Sequence, residues 1–184
     1  QIAAARGYGI IDVHQMFVDA GIPAAWVLDT VHPNALGESY WATLVQSYFQ
    51  YAPGSSAILY APSMAAAESY NSSFRRQGVT AALITERTPN DVRRSYIARA
   101  TDGELKVLIN LMTLTEGVDI PRISTVILGR PCVNTALYLQ CAGRPMRPFE
   151  GKKEATLLDL TGTSYLHGRP DADRSYSLFG TTPI

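Results

Sequence analysis

Short runs of β-branched and apolar residues alternate with longer helical segments along this chain, and this alternation most limits its fold. Strands are predicted at YGIIDV, SAILYA, VTAALIT, KVLINL, STVILG and ATLLDL. Several of these runs are apolar on both faces, as in central strands of a parallel sheet that helices cover on both sides. We therefore predict an α/β fold with three αβα layers and a mainly parallel sheet.

The segment from about Ala35 to Tyr51 is predicted to form a helix that packs on this sheet. Its Leu44, Val45 and Tyr48 recur at helical spacing, and a Pro-Gly pair follows it. Strand, helix, strand units close right-handed and parallel in almost every case. We therefore expect the strand at residues 8–13 to lie beside the strand at residues 57–60, in one continuous sheet with the rest.

The segment QCAGRPMR follows an apolar helical run, NTALYLQCAG, and holds Gln140, Gly143, Arg144 and Arg147. The spacing of the two arginines places them on one face of a helix end. Guanidinium groups offer rigid paired donors that match phosphate oxygens, which favours a polyanion as their partner. The alternative is an ordinary solvated helix end.

Upstream, KVLINLMTLTEGVDIP joins a strand-length apolar run to Glu116, Gly117 and Asp119. Together with QCAGRPMR, it resembles the last two motifs of the superfamily-two helicase core, of the DEAD/DEAH type. AILYAPSMAAAESY resembles the strand and helix that open the second motor domain of that family. The resemblance covers about residues 50–180 and implies a RecA-like, or more broadly Rossmann-like, domain.

The resemblance implies a role for each matching residue. Arg144 and Arg147 take the positions of arginine fingers, which contact the γ-phosphate of ATP, and Gln140 belongs to the same catalytic motif. Gly117, Asp119 and Gly143 match nucleotide-binding positions. Ser63 and Thr113 lie where relatives contact the backbone of DNA or RNA.

The first fifty residues carry a different signature. DTVHPNALGESYWA resembles the last conserved block of SGNH (GDSL-type) hydrolases, in which Asp29 and His32 would match two members of a Ser-His-Asp triad. The sequence contains no GDS nucleophile motif, so we interpret this pair as vestigial. We predict two parts, a hydrolase-like fragment at residues 1–50 and a helicase C-terminal domain at residues 51–184, with a chimera of the two as one interpretation.

Composition excludes some classes of protein. No apolar run approaches eighteen residues, so no membrane partner is expected. The charges of sixteen basic and sixteen acidic residues cancel, so the net charge does not indicate nucleic-acid binding. Cys132 and Cys141 have no CxxC or histidine spacing, so we predict buried thiols of a cytoplasmic protein and no metal site.

Three function classes remain open at this stage. The chain is the second motor domain of an ATP-dependent nucleic-acid helicase, an SGNH-type hydrolase fragment, or a folded chimera without activity. It contains no GxxxxGK[ST] phosphate loop, and Gly151-Lys152-Lys153 lacks the hydroxyl residue that such a loop needs. We therefore expect no cofactor in the isolated chain, and ATP with Mg²⁺ only beside a first RecA-like motor domain.

Overall fold

The structure is a computed structural model that describes residues 8–12, 35–111 and 118–174. Its strands are β1 (Tyr8–Asp12), β2 (Ala57–Tyr60), β3 (Ala81–Ile84), β4 (Val107–Asn110), β5 (Thr125–Leu128) and β6 (Ala155–Asp159). Its helices are α1 (Ala35–Tyr51), α2 (Met64–Arg76), α3 (Asn90–Asp102), α4 (Thr135–Gly143) and α5 (Thr163–His167). Each described strand lies within a run that the sequence predicted.

The described strands form one sheet in the order β1-β6-β5-β2-β4-β3, and every pairing is parallel. The predicted α/β class with a mainly parallel sheet is confirmed. The expected pairing of β1 with β2 is wrong, because β1 pairs with β6, Tyr8 opposite Ala155. Both backbone edges of β2 are already paired, with β4 and β5, so β1 can join only an outer edge of the sheet, and it takes that of β6.

Helices pack on both faces of the sheet and enclose two apolar cores. Alternate residues of the central strands point to opposite faces. One core joins Ile58, Leu108 and Val126 to residues of α3 and α4, and the other joins strand residues of the opposite face to α1 and α2. The helix predicted at residues 35–51 buries its apolar face as expected, at Leu44, Val45 and Tyr48. Its bounds are also those predicted.

Two polar caps fix where the site-bearing helices begin. The Ser63 hydroxyl accepts a hydrogen bond from Ala66 N at the start of α2, at 3.2 Å. The Asn134 carboxamide oxygen accepts one from Leu137 N at the start of α4, at 2.8 Å. The α4 helix begins past the C-terminal end of β5, and the chain then returns to the start of β6. The residues after Gly143 lie on this return.

Candidate functional site

The two arginines of QCAGRPMR lie on a turn that directly continues α4. Arg144 keeps right-handed helical dihedral angles, φ −63° and ψ −46°. Met146 N donates to Gly143 O at 3.2 Å, so the chain stays tightly coiled after the helix ends. Both guanidinium groups point toward the segment that precedes β5, where Arg144 Nη1 and Arg147 Nη1 donate to the same carbonyl oxygen, that of Val118, at 2.8 and 3.2 Å.

Arg144 is buried, with 6% of its surface exposed. Two arginines that project together from a helix end are expected to be exposed, and for Arg144 that expectation is wrong. The apolar residues of α4 carry this turn against the sheet, so Arg144 is drawn into the protein and bonds to a main-chain carbonyl. Such a group contributes to the fold as well as to any chemistry at the site.

Arg147 remains accessible. Its side chain is 42% exposed and forms an ion pair with the Asp119 carboxylate, which is itself 74% exposed, at 2.5 Å. An ion pair between solvated groups contributes at most about 1 kcal/mol. Because a guanidinium has five N–H donors, Arg147 can bind another anion while its Nη1 stays on Asp119 and Val118 O, which the buried Arg144 cannot do as readily.

Three of the remaining residues predicted for the nucleotide site, Gln140, Gly143 and Asp119, lie within the described part of the chain. Gln140 is exposed on α4, and Gly143 has space above it, since an added Cβ would meet no atom within 4 Å. Asp119 contacts Arg147, so the structure brings together two residues that the sequence assigned to separate motifs. Gly117 lies outside the described residues.

Lys152, which the sequence did not single out as a candidate, contacts the segment that carries Asp119. Its ammonium group donates to Pro121 O at 2.7 Å and to Ile123 O at 2.9 Å, in the segment that carries Asp119. Burial lowers the pKa of Lys152 from its ordinary value, and the nearby charge of Arg147 lowers this pKa further. The available signal was a Gly-Lys pair shortly after the arginines, which was considered only as a defective phosphate loop.

A groove of about 490 Å³ lies beyond the C-terminal ends of β3 and β4. Its lining residues include the first residue of α2 and the turn after β3: Met64, Thr85, Glu86, Arg87 and Leu111. Ser63 directly precedes this lining at the start of α2. The other predicted nucleic-acid contact, Thr113, lies outside the described residues, as do Asp29 and His32 of the hydrolase-like pair.

The cysteines are free and buried, as predicted. A hydrogen bond with Cys141 raises the pKa of Cys132, and burial raises it further, so Cys132 stays a neutral thiol at physiological pH. Within residues 8–12, 35–111 and 118–174, no three His, Cys, Asp or Glu side chains converge as metal ligands would. The helices of the same residues are too short or too polar to cross a membrane.

Comparison with known proteins identifies the class and then the family. Solved structures of helicase C-terminal domains share this fold, which makes the described domain RecA-like. The C-terminal domain of the DEAD-box protein Dbp5 superposes with a TM-score of 0.58 at 23% identity, over 70% of this chain and 74% of that one. Domain 2 of the Mss116p DEAD-box helicase, solved with an RNA duplex, superposes with a TM-score of 0.54 at 15% identity, over 84% and 54%.

The family model described as "Helicase conserved C-terminal domain" matches residues 40–148. This chain belongs to that family, and the helicase resemblance seen in the sequence is confirmed at this level. The matched region begins inside α1, ahead of the boundary predicted at residue 50. The two-part division of the chain, like the hydrolase-like assignment of its first part, stays a prediction.

The sequence relatives include a protein named as a putative helicase. A 51.5 kDa protein of a Lactococcus phage (isolate 7-9) is 34% identical over 143 residues, which cover 78% of this chain and 31% of the relative. The putative ATP-dependent helicase IRC3 of Saccharomyces cerevisiae is 30% identical over 109 residues, which cover 59% of this chain and 16% of the relative. The chain thus spans a third or less of the length of these relatives.

Proposed function

We propose that this chain is the second motor domain of an ATP-dependent nucleic-acid helicase and that it supplies Arg147 to ATP bound on a first motor domain. Membership of the helicase C-terminal family supports the motor-domain half of this proposal. The observation that supports the finer role is the accessible guanidinium of Arg147, held by a solvated carboxylate next to a buried second arginine. A charge placed in this way can stabilise the negative charge that develops in phosphoryl transfer.

The arginines are unequal in this proposal. Arg147 is the finger that reaches the γ-phosphate. Arg144 supports it by fixing Val118 O, the carbonyl to which both arginines bond. Gln140 and Gly143 lie on the same exposed side of the helix end, and we assign them, with Asp119 and Gly117, to contacts with the nucleotide.

The nucleic-acid strand is assigned to the groove at the C-terminal ends of β3 and β4. Arg87 supplies a cation there, and Ser63 opens the adjoining helix. A helix N-terminus with a neighbouring cation suits backbone phosphates, which carry no sequence information. Thr113 belongs to the same set of contacts in this proposal, since it follows Leu111 of the groove by two positions.

We assign the Mg²⁺ ion and the phosphate-binding loop to the first motor domain. The sequence of this chain contains no GxxxxGK[ST] segment, and the described residues offer no cluster of carboxylates for Mg²⁺. When bound, Mg²⁺ with ATP supplies charge neutralisation at the transferring phosphate. The residues of this chain contribute the finger and the closure of the cleft, which matter only once ATP is placed.

The test is a fusion of this chain to a first motor domain that carries a GxxxxGK[ST] loop. We expect Mg²⁺-dependent ATP hydrolysis stimulated by single-stranded nucleic acid, and a loss of about a thousandfold in kcat on Arg147→Ala, as for other arginine fingers. Arg75 is an exposed arginine in the last turn of α2. Its substitution Arg75→Ala is the matched control, and we expect it to leave kcat unchanged. An active fusion that tolerates Arg147→Ala would refute the finger assignment.

Nucleic-acid binding is measured separately. Arg87→Ala in the same fusion weakens binding of a labelled single strand and reduces the slope of log K against log salt, because one phosphate contact is lost. Arg75→Ala again serves as the control, since it removes the same charge elsewhere on the surface. Equal effects of the two variants would show that binding follows overall charge and not this groove.

A further inference from the structure

Val118 to Ile123, which we call the 118–123 segment, leads into β5 and is held by cations from the stretch after α4. Arg144 and Arg147 donate to Val118 O at one end of the segment, and Lys152 donates to Pro121 O and Ile123 O at the other. Asp119, the partner of Arg147, lies between these two attachments. Its position is therefore set from both sides.

Two tight turns create the attachment at Lys152. Ile123 N donates to Ile120 O at 3.1 Å, and Lys152 N donates to Phe149 O at 3.0 Å. Gly151 gives the second turn its shape, with a φ of +78° that side chains rarely adopt. The first turn presents carbonyl oxygens and the second an ammonium group, so the contact consists of two charge-assisted hydrogen bonds.

Arg122 reinforces the same pairing of segments. Its Nε donates to Thr101 O at 2.8 Å, and its guanidinium lies over the ring of Phe149 at 4.8 Å from the centroid. The stretch that carries the arginines and Lys152 thus contacts the 118–123 segment along most of its length. A shift at one end is transmitted to Asp119 through a few short bonds.

We propose that Lys152 is a positioning residue for Arg147: it fixes the 118–123 segment so that Asp119 holds the Arg147 guanidinium in its working orientation. This inference rests on the proposed function, because an orientation matters only if Arg147 acts on a bound phosphate. Lys152 contacts neither substrate nor reacting atoms. Small displacements of a positioned group reduce rates by up to about a hundredfold.

The alternative is that Lys152 only adds stability to the fold. Ile120 and Ile123 are buried and already attach the segment to the core. In this alternative, Lys152 only strengthens an attachment that the two isoleucines make. A purely structural lysine would lower stability without acting through Arg147. The two roles differ in whether the effects of Lys152 and Arg147 on turnover are independent.

The test uses the fusion described above and a double-mutant cycle. Lys152→Met keeps the length of the side chain but removes its donors, and we expect kcat to fall about tenfold or more with the KM for ATP nearly unchanged. Lys152→Arg, which keeps donors and charge, recovers most of the loss. In an Arg147→Ala background, Lys152→Met causes no further loss, because the residue through which it acts is gone.

Controls separate the outcomes. Lys153→Met changes the neighbouring exposed lysine and leaves kcat at the wild-type value. If Lys152→Met does not fold, as judged by thermal unfolding, the test uses Lys152→Gln in its place. Glutamine keeps an N–H donor group but removes the positive charge. Wild-type kcat in the Lys152 variant, or losses that multiply in the double variant, overturn the positioning role alone. An inactive wild-type fusion overturns the proposed function itself, and this inference falls with it.

Discussion

Arg144 and Arg147 are identical side chains three positions apart, but their surroundings differ. Both donate to Val118 O, yet Arg144 is buried and Arg147 is half-exposed on a solvated carboxylate. The buried guanidinium is tied to the fold, since its removal leaves part of a carbonyl's bonding capacity unmet inside the protein. The exposed one can respond to a ligand.

Alanine substitution should separate these roles by stability. We expect Arg144→Ala to lower the free energy of unfolding by about 1–3 kcal/mol, the cost of losing a buried charged donor. Arg147→Ala should lower it by less than about 1 kcal/mol, as for an exposed ion pair. Urea denaturation of both variants measures the difference. Equal values would contradict the distinction between a structural and a ligand-directed arginine.

The pKa of Lys152 offers a second prediction at this scale. Arg147→Ala should raise this pKa toward its ordinary value, because one of the two causes that lower it is the charge of Arg147. Between the folded and the unfolded pKa of Lys152, the unfolded state binds more protons, so this lysine adds stability as pH rises through that window. Lysine ¹³Cε chemical shifts followed against pH report the pKa, and Arg75→Ala should leave it unchanged.

At the scale of elements, Gly129 and Gly143 have opposite surroundings. Gly129 directly follows β5, and an added Cβ would lie 2.9 Å from Tyr60 O and 3.1 Å from a methyl carbon of Leu44. Gly143 ends α4, and an added Cβ there would meet nothing within 4 Å. The first glycine allows α1 and the end of β2 to approach the end of β5 closely. The second leaves the helix end open toward solvent.

Alanine at each position tests this contrast. Gly129→Ala should lower the free energy of unfolding by about 1–3 kcal/mol, because the contact with a main-chain oxygen forces the backbone to shift. Gly143→Ala should leave stability unchanged or raise it by up to about 1 kcal/mol, since alanine favours a helix over glycine. Thermal or urea unfolding measures both. If Gly143→Ala is stable yet lowers kcat in the fusion, the open space serves the nucleotide.

At the scale of the whole molecule, the two candidate sites are carried by different elements around one parallel sheet. The groove with Arg87 lies at the C-terminal ends of β3 and β4. The arginines follow α4, which returns toward the start of β6, and Lys152 lies three positions before that strand. In the function proposed above, these different elements would present separate surfaces to nucleic acid and to a partner motor domain.

The isolated chain should not hydrolyse ATP above background, with or without nucleic acid. The reason is that the arginines act on a phosphate that another surface must place, and this sequence has no phosphate loop. A coupled phosphate-release assay on the purified chain measures this, with the fusion as the positive control. Magnesium-dependent turnover by the chain alone would show that it binds ATP productively without a partner.

The hydrolase-like pair allows one further test. A fluorophosphonate probe should label no serine in this chain, because the sequence holds no GDS nucleophile motif. Intact-mass measurement after incubation reports the labelling. Stoichiometric labelling that Asp29→Ala or His32→Ala abolishes would restore the esterase reading of residues 1–50.

The sequence by itself determined the layered architecture and the family. Strand runs and helix stops depend on local spacing of apolar residues, and the helicase motifs depend on residue identity, so both are readable without coordinates. The strand that pairs with β1 could not be predicted from the sequence, because strand order depends on which backbone edges remain free after the central strands pair. The burial of Arg144 and the contact of Lys152 with the 118–123 segment were likewise decided by tertiary structure. Each joins residues more than twenty-five positions apart, and no local pattern encodes which distant carbonyl a long cationic side chain will reach.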